Sequence, residues 1–436
     1  MMFEREAETM PRAQLSALQL ERLRAVVGRV MEKVAFYRDH LGAAGITAES
    51  ISSLDDLARL PFTCKGDLRD NYPFGLFAVP RPQVVRLHAS SGTKGKPTVV
   101  GYTAADIDLW ARCCARCLVC AGARPGDIVH NAYGYGLFTG GLGLHYGAER
   151  LGCTVVPASG GNTPRQVLLL QDFAARVLCC TPSYALNIAG VMRDQSVARG
   201  LLTLEIGVFG AEPWTEEMRR HIERALGITA VDIYGLSEVL GPGVAMECAE
   251  GRNGLHIWED HFLPEIVDPE SGEQLPDGRF GELVITTLSK EALPVIRYRT
   301  GDITALFAEP CRCGRTHRRM ARVAGRTDDM LIVRGVNVFP SEIERVLMEG
   351  PDLAPHYQIV VDRQGALDTL EVHAEVTPEF SAAALQDVGT LAALRERVNG
   401  AIDAALGIST DVVLHPPESL PRSEGKAVRV HDRRLA

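Results

Sequence analysis

The stretch Ala89–Val100 reads ASSGTKGKPTVV and lies between two strand-like runs, VVRLH and TVVGY. Its glycines let backbone N–H groups approach an anion closely, its hydroxyls donate, and Lys96 adds a point charge, a combination suited to phosphate. A Walker A loop is excluded, because Gly92 and Gly95 are three apart and Pro97 follows Lys96. The glycines of GYGLFTGGLGLHYG (134–147) do not satisfy the dinucleotide spacing before a helix either. A second chemistry resides in thiols. Cys311 and Cys313 sit in the polar turn EPCRCGRTHRR, where packing gives no reason for two cysteines, and Cys248 and His256 precede them. Three thiolates and an imidazole suit a closed tetrahedral zinc site, although the C-x-C spacing is tight and His317 competes as a ligand. Cys113, Cys114, Cys117 and Cys120, in WARCCARCLVCAGA, instead fall at helical spacing and read as small buried thiols.

These groups need a scaffold. The first ~80 residues carry apolar positions at helical spacing, as in LSALQLERLRAVVGRVMEKVAFYRDHL. From 84 to about 300, β-rich runs (DIVHNAY, CTVVPAS, RVLCCTP, LEIGVFG, AVDIYG) alternate with helical ones (PRQVLLLQDFAA, TEEMRRHIERAL). That alternation predicts layered α/β subdomains around a largely parallel sheet. Residues 262–308 read as a smaller β-rich subdomain, and the last ~110 residues as a small α+β domain of their own. Division into a domain of residues 1–327 and one of 328–436 is expected.

The chain has 436 residues and a formal net charge of −9, with 46% hydrophobic and 23% charged residues. That composition is globular and argues against a surface dedicated to nucleic acid. The charged opening MMFEREAETM lacks an apolar signal region, and no apolar run reaches membrane-spanning length, so a cytoplasmic protein with no membrane partner is expected.

Six motifs occur in order: SSGTKGKPT, GAEPW at 210, YGLSE at 234, YRTGD at 298, GRTDD at 325 and PRSEGK at 421. Together they resemble the core motifs of the adenylate-forming superfamily. AYGYGLFTGG, TPSY, GAEPWTEEMR, YGLSEVLGPGVAMEC and DDMLIVRGVNVFPSEIE are similar to the phenylacetate–CoA ligase family within it. The resemblance runs from about residue 20 to the C-terminus.

It implies that Ser90, Ser91, Gly92, Thr93, Gly95 and Lys96 cradle the β- and γ-phosphates of ATP. Gly210, Ala211, Glu212 and Pro213 would flank the adenine and Tyr234 would stack on it, with Gly235 and Ser237 completing the nucleotide site. Glu238 would hold Mg²⁺, a hard cation that prefers carboxylate oxygen. Asp302 would accept hydrogen bonds from the ribose hydroxyls, supported by Arg326. Tyr135, Gly136 and Phe138 would line an aryl-acid pocket. Asp328 would be the hinge of a mobile C-terminal lid, and Lys426 the catalytic lysine that stabilises charge as a carboxylate attacks the α-phosphorus. The family's usual phosphate wording is SSGTTGKPT, so Lys94 replaces a hydroxyl residue here. The implied reaction joins an aryl acid to CoA with ATP and Mg²⁺. Rival readings are transfer of the acyl group to a carrier protein, an amine or a deazaflavin cofactor, or a non-catalytic nucleotide-binding relative. A homodimer is compatible with the sequence.

Overall fold

A computed structural model describes residues 1–89, 97–327, 329–334, 336–364, 367–384 and 388–435. Ser90 to Lys96, Lys94 among them, expected to form the phosphate loop, and Asp328, expected to be the hinge, lie outside the described residues.

The helical N-terminal segment opens with Arg12–Lys33, which buries Leu15, Leu23, Val26, Val27 and Val30 along one stripe. That three-to-four spacing is the core-facing face of an amphipathic helix. Beyond it the chain enters a nine-stranded sheet. Five strands run parallel, in the spatial order Thr154–Val156, Ile128–Asn131, Val177–Cys180, Ile206–Gly210 and Thr229–Leu236. Gly241–Glu247, Leu255–Ile257, Arg319–Met320 and Leu306–Phe307 extend the sheet with antiparallel pairings. All four residues of Val177–Cys180 and all five of Ile206–Gly210 are buried, as expected for parallel strands covered on both faces.

Helices supply those covers. Ala104–Cys120 starts on a capping box in which the Thr103 hydroxyl accepts the Asp106 N–H and Asp106 accepts the Thr103 N–H. Its Cys113, Cys114, Cys117 and Cys120 are all buried in the main core. They are spread along the apolar helix, and burial pushes the Cys117 thiol up to about 12. Their environment therefore favours neutral packing groups.

The β-rich segment forms a four-stranded antiparallel sheet, Phe262–Val267, Gly281–Thr287, Tyr298–Thr304 and Gly325–Arg326. Its far end differs from the sequence expectation: Leu306–Phe307 leaves it for the edge of the large sheet, while Gly325–Arg326 joins it. The reason is register, since Asp302 pairs with Arg326 across the last two strands.

The C-terminal part has its own core. Leu331, Val338, Ile343, Leu347, Ile359, Val372, Ile402 and Val412 belong to a cluster separate from the two clusters of the preceding chain. A sheet in the order Asp411–His415, Leu367–Val376, Leu353–Gln364, Val430–Asp432 carries the helices Pro340–Met348 and Val388–Leu406.

Candidate functional site

Parallel strands present their carboxyl ends along one edge, and ligands of open α/β sheets bind there, at the point where strand order reverses. Strand order reverses between Ile128–Asn131 and Val177–Cys180. Residues 132–136, 181–184, 211–213 and 237–238 all follow such strand ends.

Asp302 is the best-defined polar group. It is 4% exposed, on the strand Tyr298–Thr304. The Tyr234 hydroxyl donates to its Oδ2 at 2.6 Å and the Arg326 guanidinium to its Oδ1 at 2.6 Å. Burial and the Asp302 charge push the Tyr234 phenol well up, so it stays protonated and donates. Gly235 stands at a register shift between Thr229–Leu236 and Gly241–Glu247, where an added Cβ would lie 1.9 Å from the Gly241 carbonyl oxygen. Only glycine tolerates that approach. Ser237 shares a 3.0 Å hydrogen bond with Thr139.

Glu238 is 7% exposed and makes no hydrogen bond among the described residues. A nearly buried carboxylate without donors fits a cation ligand. The charge it does meet is Lys290, 2% exposed, whose Nζ lacks a hydrogen-bond partner among the described residues and lies 4.6 Å from the Tyr102 ring centroid. Burial pushes this ammonium down to about 8 against the opposing pull of Asp106 and Glu238. Sequence reasoning passed over Lys290, since one lysine in LSKEALP carries no spacing signal.

Gly210 ends its strand, and Ala211 after it holds a left-handed φ of +70°. A non-glycine residue there is strained, a cost sustained at functional turns. The Glu212 side chain turns toward the C-terminal domain. Its Oε1 accepts the Ser183 N–H at 2.7 Å and its Oε2 accepts the Ala427 N–H at 2.9 Å. Pro213 follows at the surface.

Lys426 is exposed, on a loop seated against the large domain. The Thr181 hydroxyl donates to the Gly425 carbonyl at 2.8 Å, and the Asn187 amide to the Ser423 carbonyl at 3.2 Å. Arg429 donates to the Ser183 hydroxyl at 2.9 Å and pairs with Glu344. Glu344 also accepts the Thr215 N–H at 3.1 Å and the Tyr357 hydroxyl at 2.7 Å. Burial alone would lower Arg429, but Tyr357 and Glu344 outweigh it and hold the guanidinium charged. Thr181, Ser183, Glu344 and Arg429 were not singled out by sequence reasoning, although TPSY and DDMLIVRGVNVFPSEIE contain the first three.

In the expected aryl pocket, the Asn131 amide donates to the Tyr135 hydroxyl at 2.8 Å, and His145 contacts that hydroxyl at 3.2 Å. Gly136 has φ +126°, and Phe138 is 46% exposed, at the rim.

The thiol set is a separate centre. The ligand atoms of Cys248, His256, Cys311 and Cys313 all lie within 4.8 Å of one another. Cys248 Sγ is 3.6 Å from Cys311 Sγ, and Cys313 Sγ is 3.4 Å from His256 Nε2. Two sulfurs about 2.3 Å from one tetrahedral ion are roughly 3.8 Å apart, so the donor set fits zinc. His256 Nδ1 is hydrogen-bonded to the His317 carbonyl at 3.3 Å, which leaves Nε2 free to ligate. An added Cβ at Gly251 would come within 2.8 Å of both Cys248 and Cys311 sulfurs, and the Gly251 N–H donates to Cys248 Sγ. Hydrogen bonding between Cys248 and Cys313 lowers the Cys313 thiol and raises that of Cys248. His317 faces away: its Nε2 donates to the Ala7 carbonyl at 2.9 Å and its Nδ1 accepts the Glu259 N–H at 3.3 Å.

Comparison with known proteins adds kinship to this geometry. A family model described as AMP-binding enzyme matches residues 78–289, and one described as AMP-binding enzyme C-terminal domain matches residues 335–434. A phenylacetate-coenzyme A ligase of Thermus thermophilus is 56% identical over 438 residues, covering 98% of this chain and 98% of its own length. Among solved structures, 2-hydroxyisobutyryl-CoA ligase in the postadenylation state superposes with a TM-score of 0.92 at 31% identity, over 99% of this chain and 92% of that one. The same enzyme with 2-HIB-AMP and CoA in the thioesterification state gives 0.74 at 32% identity, over the same shares. This chain therefore superposes better on that enzyme's postadenylation state than on its thioesterification state. No helix among the described residues is long and apolar enough to cross a membrane.

Proposed function

The chain belongs to the phenylacetate–coenzyme A ligase family of AMP-binding enzymes, and on that premise we propose that it is an ATP-dependent ligase joining an aryl acid, phenylacetate foremost, to coenzyme A. The acid's carboxylate oxygen attacks the α-phosphorus and pyrophosphate leaves, giving the acyl-adenylate. The thiol sulfur of CoA then attacks the acyl carbon, AMP leaves and the thiol proton is released. No protein nucleophile is required; the chain contributes position and charge.

The observation that carries this reading is the docking of the 423–427 loop between Thr181 and Glu212, at the strand ends. These two bonds bring the loop that carries Lys426 to the residues following the strands Val177–Cys180 and Ile206–Gly210. In the proposed assignment, Asp302 takes the ribose hydroxyls as a carboxylate held in place by Tyr234 and Arg326. Glu238 would hold Mg²⁺, which supplies positive charge to the phosphates. Lys426 would stabilise the charge that builds during attack. Tyr135 and Phe138 would bound an uncharged aryl pocket, for which aromatic walls are suited. Cys248, His256, Cys311 and Cys313 would hold a structural zinc ion tying the end of Gly241–Glu247 to the 311–313 turn.

The deciding experiment incubates the protein with ATP, Mg²⁺, CoA and a panel of phenylacetates, benzoates and indoleacetate, with mass-spectrometric detection of product. An acyl-CoA and AMP from phenylacetate are expected. Acyl-adenylate accumulating without acyl-CoA would refute CoA as acceptor, and silence with every acid would refute the ligase assignment.

A further inference from the structure

Glu212 sits in a motif that the resemblance assigns to the adenine, yet its carboxylate bridges two backbone donors from different domains. One is Ser183 N–H, in the first turn of the Pro182–Asp194 helix of the large domain, and the other is Ala427 N–H, next to Lys426. On the other side of Lys426, the Thr181 hydroxyl holds the Gly425 carbonyl. Both peptide neighbours of Lys426 are therefore gripped by the large domain. A large-domain backbone also closes on the loop, since an added Cβ at Gly160 would lie 2.5 Å from the Glu424 carbonyl oxygen.

We propose that Glu212 is a positioning residue for Lys426, clamping the 423–427 loop in the orientation that forms the adenylate. The carboxylate suits this task because both its oxygens can accept from separate N–H groups, and a bond to a charged acceptor is about twice as strong as a neutral one. The helix N-terminus at Ser183 favours the negative charge as well. The clamp exists only in this domain arrangement. When the small domain turns to admit CoA, Ala427 N–H leaves and Glu212 keeps Ser183 alone. Its contribution therefore belongs to the first half-reaction. The inference rests on the reading of Lys426 as the adenylation lysine.

Glu212→Gln tests it with little change of shape. One glutamine oxygen can serve Ser183, but the amide NH₂ then opposes the Ala427 N–H, donor against donor. Single-turnover pyrophosphate release is measured at saturating ATP and phenylacetate, beside thioester formation from synthetic phenylacetyl-adenylate and CoA. The expected result is an adenylation kcat lower by about 10- to 100-fold, the value of one bond to a charged group. KM for ATP and the rate of thioester formation should stay at wild-type values, which also reports an intact fold. Lys426→Ala runs in parallel. If Lys426→Ala loses adenylation and Glu212→Gln keeps it, the clamp is refuted while the lysine's role stands. If Lys426→Ala adenylates normally, that role fails and the clamp with it. A raised KM for ATP at unchanged kcat would return Glu212 to the nucleotide, and equal loss of both half-reactions would make it structural; either overturns the proposal.

Discussion

Substituting Asp302 by asparagine perturbs one atom pair and has a calculable effect. Asp302 Oδ1 already accepts from Arg326 and Oδ2 from Tyr234, and the residue is 4% exposed. Arg326 has only donors, whereas the Tyr234 hydroxyl donates or accepts. Asparagine will therefore turn its oxygen to Arg326 and its NH₂ to Tyr234, whose hydroxyl rotates to accept. Both of these bonds stay satisfied. What disappears is the negative charge and one of two acceptors for the ribose. Losing one bond to a charged group costs about 1.5–3 kcal/mol, and making the other neutral about 1 kcal/mol more. ATP affinity should fall by roughly 50- to 1,000-fold, since 1.4 kcal/mol is a factor of ten. Calorimetric titration of ATP into both proteins gives the dissociation constants, and repeating it with 2′-deoxy- and 3′-deoxy-ATP isolates the sugar. The native protein should reject a deoxynucleotide that Asp302→Asn binds almost as well as ATP. An asparagine variant that binds ATP with native affinity and still rejects both analogues would refute ribose recognition by Asp302.

Two predictions concern stability. Purified protein should carry about one zinc ion per chain, and Cys313→Ser should lower the zinc content and the Tm while KM for ATP is unchanged; metal-free protein melting at the native temperature would dismiss a structural ion. Asp260→Asn removes the bidentate partner of Arg116, which is fully buried and bonded to both Asp260 oxygens at 2.8 Å. Arg116 keeps its ion pair with Glu4, so the cost is that of losing a bond to a charged group, about 1.5–3 kcal/mol, to be read from denaturant midpoints at pH 7. Burial pushes the Asp260 carboxyl up, but His261 and Arg116 outweigh it and hold it well below the ordinary range. The stability it adds is complete above the unfolded carboxyl's pKa and is lost as pH falls below about 4, so the gap between the two proteins should narrow there. A cost near zero at pH 7 would dismiss the pair's role.

The family and the α/β class were legible because they are written in local signals: motif order, alternation of short β-rich and helical runs, and a glycine-marked turn chemistry that needs no partner. The Cys/His set was legible in part, since a polar turn has no packing use for two cysteines. Its fourth donor was decided by strand pairing, which places His256 opposite Arg319 and turns its Nε2 to Cys313 while His317 points to the N-terminal segment. The parallel sheet's neighbours come from segments far apart in the chain, so the strand-order reversal that locates the cleft was not in any window of sequence. Glu212 is the clearest division between the two. Its motif placed it near the nucleotide, but a side chain's direction depends on what docks beside it, and the donor at Ala427 is 215 residues away. Sequence alone determined which chemical groups this protein owns and the kind of enzyme they belong to. The tertiary structure alone decided which of them face one another, because the hydrogen bonds, ion pairs and strand contacts that settle direction form only between segments that folding brings together.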